Sequence, residues 1–463
     1  MSTEPVVIIG AGWAGLAAAV TLTSRGQKVI VYEAAKQVGG RARSVPFADT
    51  IVDNGQHLMI GAYQECIKIL KLVGQCPYAK MKRTPLFLAV QDETGQQVEV
   101  KAPRLPAPFH LLYALITAKG LSIKDRFAAV QFGLFVKKNH YQFSQDISVK
   151  QLFDQSRQTD NIIKQLWEPL CLSTLNTPIE IASANVFMRV FKDAFTHHYY
   201  DADLLLPIID LSEIFPNAAV QYIRNKGGEV HLQSRLEKIH IENDKIKAID
   251  IKNDTQVQTV TTSSLILAVA PQNLNKLISA TLQLNTLQLN TLQSNTLQSN
   301  TPRLKTLQLK TLQNIIDQFS YQPIVTVYLQ YTPETRLNHA MQGLSGTISQ
   351  WVFDRGQLCQ QHGLFSVVIS CEGSHMQMDE KTLIQTVQSE VSALFDQSPE
   401  LQNAFVVREK RATYACTVNI NTIRPTNRTD VNGLYLAGDY TDTGYPATLE
   451  GAVRSGLTAA NQI

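Results

Sequence analysis

Apolar positions along the chain fall into short dense runs and alternating stretches. Val6-Val7-Ile8-Ile9 is an unbroken apolar run rich in β-branched residues, the pattern of a parallel strand covered on both faces. Gly10-Ala11-Gly12-Trp13-Ala14-Gly15 follows, and the Ala/Leu-rich stretch from Leu16 to Arg25 stops at Gly26, which predicts a helix with a glycine just past its end. Lys28 to Tyr32 is a second buried-type strand ending at Glu33. Residues 6–33 thus give strand, glycine turn, helix, strand. The buried-strand pattern recurs at Leu265 to Val269 and at Gly433 to Ala437, which runs into Gly438-Asp439, and Leu449 to Ile463 predicts a closing helix. Gly227 to Leu232, followed by alternating Leu236, Ile239, Ile241, Ile246 and Ile249, predicts a strand meander.

Composition narrows the class. The chain has 463 residues with 44% hydrophobic residues and mean hydropathy −0.09, a globular protein rather than one dominated by membrane spans. A net charge of +3 is too near balance for a nucleic-acid partner. Six cysteines (Cys66, Cys76, Cys171, Cys359, Cys371, Cys416) lack any C-x-x-C pair, so their spacing encodes neither a zinc site nor a disulfide framework, and no metal is expected. The opening residues lack the basic segment and long apolar core of a secretory signal, so a cytoplasmic location with reduced thiols is expected.

The glycine turn carries the first chemistry. Directly after a strand and opening a helix, Gly10, Gly12 and Gly15 form a dinucleotide fingerprint: a tight turn, a close backbone approach to a diphosphate, and close helix–sheet packing. Trp13 and Ala14 begin the helix at that diphosphate. Glu33, 18 residues after Gly15, is placed to accept from ribose hydroxyls, with Ala34 beside it. Gly39-Gly40-Arg41-Ala42-Arg43 adds further amide groups and two cations close behind, which favours the longer FAD over a nicotinamide cofactor.

The expected fold class is therefore α/β: a discontinuous Rossmann-like FAD-binding domain (1–75, 216–269, 426–463) with an inserted α+β substrate domain (76–215 and 270–425). Thr-Leu-Gln recurs at 281, 286, 291, 296, 306 and 311. A five-residue period rotates successive leucines by roughly 140° on a helix and builds no apolar stripe. Residues 281–313 are expected to be a low-complexity surface insertion without catalytic work.

Val7-Ile8-Ile9-Gly10-Ala11-Gly12, Glu33 and Gly39-Gly40-Arg41, with Gly438-Asp439-Tyr440-Thr441 and Thr448-Leu449-Glu450-Gly451-Ala452 near the other end, resemble the flavin amine oxidase and phytoene desaturase superfamily. The resemblance implies that Asp439, beside Gly438, contacts the ribityl chain and that the Leu236 backbone holds the adenine. It also implies that the helix starting near Thr448, with Leu449 and Ala452, points its N-terminus at the flavin ring, where its dipole stabilises the reduced anion. Asp53-Asn54-Gly55-Gln56-His57 through Tyr63 looks most like the hydroxysqualene dehydroxylases of hopanoid biosynthesis. Plant-type carotenoid desaturases carry a related element and are the nearest rival. Amine oxidases fit less well, because Thr448 stands where a cage aromatic is often found.

That branch implies a long isoprenoid substrate whose hydroxyl leaves as water, a hydride from reduced FAD, and an external electron donor such as a reduced nicotinamide or a reductase. Gly55, Gln56 and His57 are expected beside the flavin, with His57 and Tyr63 as candidate proton donors and Tyr445 and Pro446 as wall. Phe109 to Ala118 and Phe127 to Val136 are apolar runs of ten, too short to span a bilayer. They lie among Arg104, Lys119, Lys124, Arg126, Lys137 and Lys138, which points to peripheral contact with the inner face of the cytoplasmic membrane.

Overall fold

The structure is a computed structural model that describes residues 4–254, 256–278 and 310–463. A five-stranded parallel sheet runs in the order Glu229–His231, Val29–Tyr32, Val6–Ile9, Leu265–Leu267, Leu434–Leu436. Its central strands are buried on both faces, as their unbroken apolar runs require. Helices Trp13–Ser24 and Leu449–Ala460 pack against one another beside it.

Two expectations are corrected here. Glu229–His231 does not open the meander; it pairs in parallel with Val29–Tyr32, because a Cβ at Gly228 would come within 3.2 Å of the Val29 carbonyl and only glycine lets the chain turn in so closely. The antiparallel meander is formed instead by Ser234–Glu242, Lys245–Asn253 and Gln256–Thr261. The Thr-Leu-Gln copies from 281 to 306 lie outside the described residues. The last copy, Thr311-Leu312-Gln313, belongs to a helical segment, 310–316, whose Leu312 packs against the core. Leu312 and Ile278 meet over the same small apolar hollow, lined by Ile239 and Ile241, and Asn275 donates to the Asp317 carboxylate across the same joint.

A seven-stranded mixed sheet is the second scaffold, in the order Asn403–Tyr414, Tyr321–Gln330, Leu364–Ser370, Trp351–Asp354, Met341–Ser345, Phe87–Asp92, Gln97–Lys101. Met341–Ser345 lies beside Phe87–Asp92 across more than 200 residues of chain, so the register at that junction is set by tertiary packing and not by a hairpin turn. Helices Glu168–Leu175 and Ala184–Phe195 supply a further apolar surface. In the second helix Phe187, Val190, Phe191, Ala194 and Phe195 recur at helical spacing and are buried.

Candidate active site

One cavity of about 820 Å³ connects the carboxyl edge of the parallel sheet with the face of the seven-stranded sheet. Ligands of open α/β sheets bind at that carboxyl edge. At that end the wall is built from the strand-to-helix turn. Gly10 has φ +105°, and a Cβ there would lie 2.4 Å from the Ala268 carbonyl oxygen, so only glycine fits the turn. Gly12 caps helix Trp13–Ser24 without any side-chain hydrogen bond, leaving its first amides unclaimed by side chains. Gly15 is the one predicted cofactor residue outside the wall. A Cβ on it would come 2.0 Å from the Gly10 carbonyl oxygen, so it holds helix against strand.

Glu33 does more than the sequence reveals. Its carboxylate accepts from Ala11 N at 2.7 Å and from Ala35 N at 2.8 Å, clamping the glycine turn to the end of the second strand, and the residue also lines the cavity. Arg41 Nη2 donates to both oxygens of Asp439 at 2.7 and 2.8 Å, and Nη1 donates to the Ala412 carbonyl at 2.6 Å. The expected cation and the expected ribityl contact are thus paired with each other across 398 positions of chain. Arg43 donates to the Gly40 carbonyl at 2.6 Å. Trp13, Ala14, Ala34, Gly40, Ala42, Gly55, Gln56, Leu236, Gly438, Leu449 and Ala452 all lie on the wall of the same cavity. Thr448 is there too, and its Oγ1 accepts from Gly451 N at 3.1 Å to cap the last helix.

The loop Gly55-Gln56-His57 is braced from behind. Gln56 Oε1 accepts from Arg355 Nη1 at 3.0 Å and from Ser366 Oγ at 3.1 Å, and Tyr328 OH donates to the Asp53 carbonyl at 2.7 Å. Arg355 is itself buried, 3.9 Å from the Asp53 carboxylate. Burial pushes Asp53 up to about 6, against the pull of Arg355 and of the Leu211 amide.

His57 Nδ1 lies 2.9 Å from the Gly55 carbonyl oxygen, which can only accept, so Nδ1 carries the proton and Nε2 holds a lone pair. Burial, with help from Arg41, lowers the ring's affinity for a second proton. A neutral imidazole of that tautomer is an acceptor, which argues against the expected role of proton donor. Tyr63 is buried beside Thr448 and Glu450, and burial raises its hydroxyl well above the ordinary value, so it stays protonated. Tyr445 and Pro446 do not reach the wall; Ala447 does. The Tyr445 ring packs between Arg454 and Arg189 and its hydroxyl bonds to Asp193.

The other arm of the cavity escaped the sequence reading. One side is the face of the seven-stranded sheet, with Thr326, Trp351, Phe353 and Met341; the other is helical, with Phe187, Phe191 and Phe195. The helical periodicity of the phenylalanines was legible, but it does not tell a wall facing a cavity from one facing a core. Toward the junction, Glu409 and Arg411 on strand Asn403–Tyr414 add charge.

The glycine cradle, the helix start that no side chain caps, the Glu33 carboxylate and the cations beside Gly40 fit a dinucleotide with a diphosphate. The family described as flavin containing amine oxidoreductase matches residues 13–463. A hydroxysqualene dehydroxylase of Zymomonas mobilis is 26% identical over 98% of this chain and 97% of its own length. A 15-cis-phytoene desaturase of an Oncidium hybrid is 26% identical over 99% of this chain and 77% of its own. An oxidoreductase of Methanosarcina mazei shares the fold, with TM-score 0.71 at 16% identity over 98% of this chain and 99% of that one. The chain therefore belongs to the flavin-containing amine oxidoreductases and is an FAD-dependent oxidoreductase.

Proposed function

We propose that the protein reductively removes the hydroxyl of hydroxysqualene, a long isoprenoid alcohol, to give squalene. The observation that carries this reading is the second arm of the cavity: a sheet face opposed by a phenylalanine-lined helix, suited to an extended hydrocarbon chain and continuous with the cofactor arm. FAD in its reduced form supplies a hydride. The C–O bond would break as a proton joins the leaving hydroxyl, so that water departs and the hydride from bound, reduced FAD would close the carbon; an external two-electron donor, a reduced nicotinamide or a reductase, would then be needed to reduce the cofactor again. Tyr63 lies on the cavity wall and is our candidate to assist that departure, with burial making its proton harder to give up than that of an exposed tyrosine. His57, as an acceptor, is better suited to orienting a hydroxyl at the junction.

A second reading, oxidation of a polyene hydrocarbon, is favoured by the similarity to phytoene desaturases. Anaerobic incubation of the chemically reduced, FAD-loaded protein with hydroxysqualene separates the two. Squalene found by mass spectrometry supports the first, and its absence refutes it. Tyr63→Phe should slow the reaction by about 10²- to 10⁴-fold, the usual range for general acid catalysis, with FAD still bound. An unchanged rate would move the proton to another group.

We further infer contact with a lipid surface. Among the described residues no helix is long and apolar enough to cross a membrane. Helix Phe109–Ile116 turns Phe109, Leu112, Tyr113 and Ile116 outward, and helix Ile123–Lys138 does the same with Ile123, Phe127 and Leu134, which are 86%, 64% and 64% exposed. Helices of a globular protein normally turn such stripes inward. Lys124, Lys137 and Lys138 are exposed at the ends of the second helix, complementing anionic headgroups. On the inner side of the first, the His110 ring lies 6.4 Å from that of Phe195, a wall of the apolar arm. One helix separates the outward stripe from the arm that would receive a lipid.

A further inference from the structure

The face of the seven-stranded sheet that lines the apolar arm contains one row unlike the rest. Val407 pairs with Thr326, Thr326 with Val368, Val368 with Trp351, and Trp351 with Gly343. Residues in register across strands share a face, and the first four of this row line the cavity. Thr326 is 1% exposed and Trp351 7%, yet neither Thr326 Oγ1 nor Trp351 Nε1 has a hydrogen-bond partner. Buried polar groups are almost always paired, and leaving one unpaired costs stability. Valine would fill the volume of Thr326 as well, and phenylalanine most of that of Trp351, without that cost.

The row is also shaped around the indole. A Cβ at Gly343 would sit 3.1 Å from Trp351 Cζ3 and 2.9 Å from Val90 Cγ2, so the missing side chain is what lets the ring lie there. Thr326 stands at the junction of the two arms: its Oγ1 is 3.5 Å from where a Gly55 Cβ would be, beside the loop that carries His57. Only Val368 intervenes between the two polar side chains, and two strand spacings amount to about 10 Å between their backbones. An indole N–H, one oxygen atom and a short hydroxyl side chain can bridge that span.

We propose that Thr326 and Trp351 recognise the substrate through an oxygen: the alcohol of the isoprenoid chain accepts from Trp351 Nε1–H and exchanges a hydrogen bond with the Thr326 hydroxyl, which sets the carbon bearing it at the junction with the cofactor arm. This deepens the proposed function and rests on its reading of the substrate as an alcohol. A hydrocarbon offers neither group a partner, so the row is a specificity device that favours an oxygenated isoprenoid over its deoxygenated product. It would thereby help the product leave.

The test is equilibrium binding of hydroxysqualene and of squalene in detergent micelles to the oxidised, FAD-loaded full chain, read by the change in flavin absorbance. Wild type should prefer the alcohol by roughly tenfold or more, as two neutral hydrogen bonds imply. Thr326→Val and Trp351→Phe should each weaken alcohol binding about 3- to 10-fold while squalene binding stays within about twofold. Should Trp351→Phe fail to fold, the near-isosteric Thr326→Val decides alone. Unchanged preference in the variants overturns the proposal, and so does loss of FAD from Thr326→Val, since the hydroxyl would then serve the cofactor. Turnover is read separately: squalene formation by reduced wild type with no effect of the variants on preference sinks this inference alone. Preference lost in the variants without any turnover in wild type supports it and sinks the reaction.

Discussion

At the head of the parallel sheet the cavity wall is largely main chain. Gly10, Gly12 and Gly40 present backbone there, and Glu33 spends its hydrogen bonds on the amides of Ala11 and Ala35 to hold that backbone in shape. At the face of the seven-stranded sheet the wall is side chain throughout, phenylalanines opposite Trp351, Met341 and Thr326. At Gly10 the first arm tolerates no added atom, because the Ala268 carbonyl oxygen beside it cannot step aside, and Gly12 and Gly40 bring their backbones together Cα to Cα. The second tolerates changes of shape, since side chains repack, but it reads the polarity of what enters. A cofactor common to many reactions is gripped by backbone, and the part that distinguishes one substrate from another is left to side chains.

The sharpest way to break this contrast is Gly15→Val, which adds atoms where even a Cβ would be 2.0 Å from the Gly10 carbonyl oxygen. A loss above about 4 kcal/mol is expected, enough to abolish flavin-loaded protein; recovery of yellow, folded protein would show that the turn can yield. Next is the joint between the arms. Folding raises Asp53 from an ordinary 3.8 to about 6, so the native state holds a proton the unfolded chain has released. Its contribution is complete below about pH 4 and is lost as pH rises through 6, about 3 kcal/mol at most. Asp53→Asn should remove that decline, leaving a flatter dependence between pH 4 and 7 in denaturant titrations. Equal slopes in both proteins would rule Asp53 out.

Glu33→Ala tests the clamp. Hydrogen bonds to a charged group contribute about 1.5–3 kcal/mol, so FAD affinity should fall roughly 10- to 100-fold, with Glu33→Gln falling less. An unchanged dissociation constant would mean the turn holds itself. On the side-chain half, replacing Ile123, Phe127 and Leu134 together by Asn should weaken binding to anionic vesicles at least about tenfold without lowering flavin content, because these side chains are already exposed. Persistence of flotation would place the lipid contact elsewhere. The smallest effect belongs to deletion of 281–309, which should leave melting temperature and flavin content unchanged within error. The cut stops there because Leu312 packs against the core.

The halves also differ in how much of them could be read in advance. Gly10 to Glu33 is a local grammar of strand, glycine turn, helix and strand, so its spacing located the cofactor arm, while the Ala268 carbonyl that closes on Gly10 comes from far along the chain and was not legible there. The Arg41–Asp439 pair joins two motifs each visible in sequence, but nothing in either says that they meet. The row Val407, Thr326, Val368, Trp351 is drawn from four strands whose register is set by packing, and no window of sequence contains it. The outward stripes at 109–134 were visible only as apolar runs. That Ile123 faces solvent and Phe132 the core is decided by what the helix leans on.

The joint at Asn275 and Asp317, with Ile278 and Leu312 in one hollow, fixes where the Thr-Leu-Gln tract departs and where the chain returns. Closing a loop between fixed ends costs only about 0.6 kcal/mol more for each doubling of its length. Each copy adds five residues, fifteen nucleotides, and therefore never shifts the reading frame. A gene carrying such a tract can gain or lose whole copies by slippage while selection on the two arms sees almost no difference. Variation in copy number between close relatives, with both arms unchanged, is therefore the expected outcome.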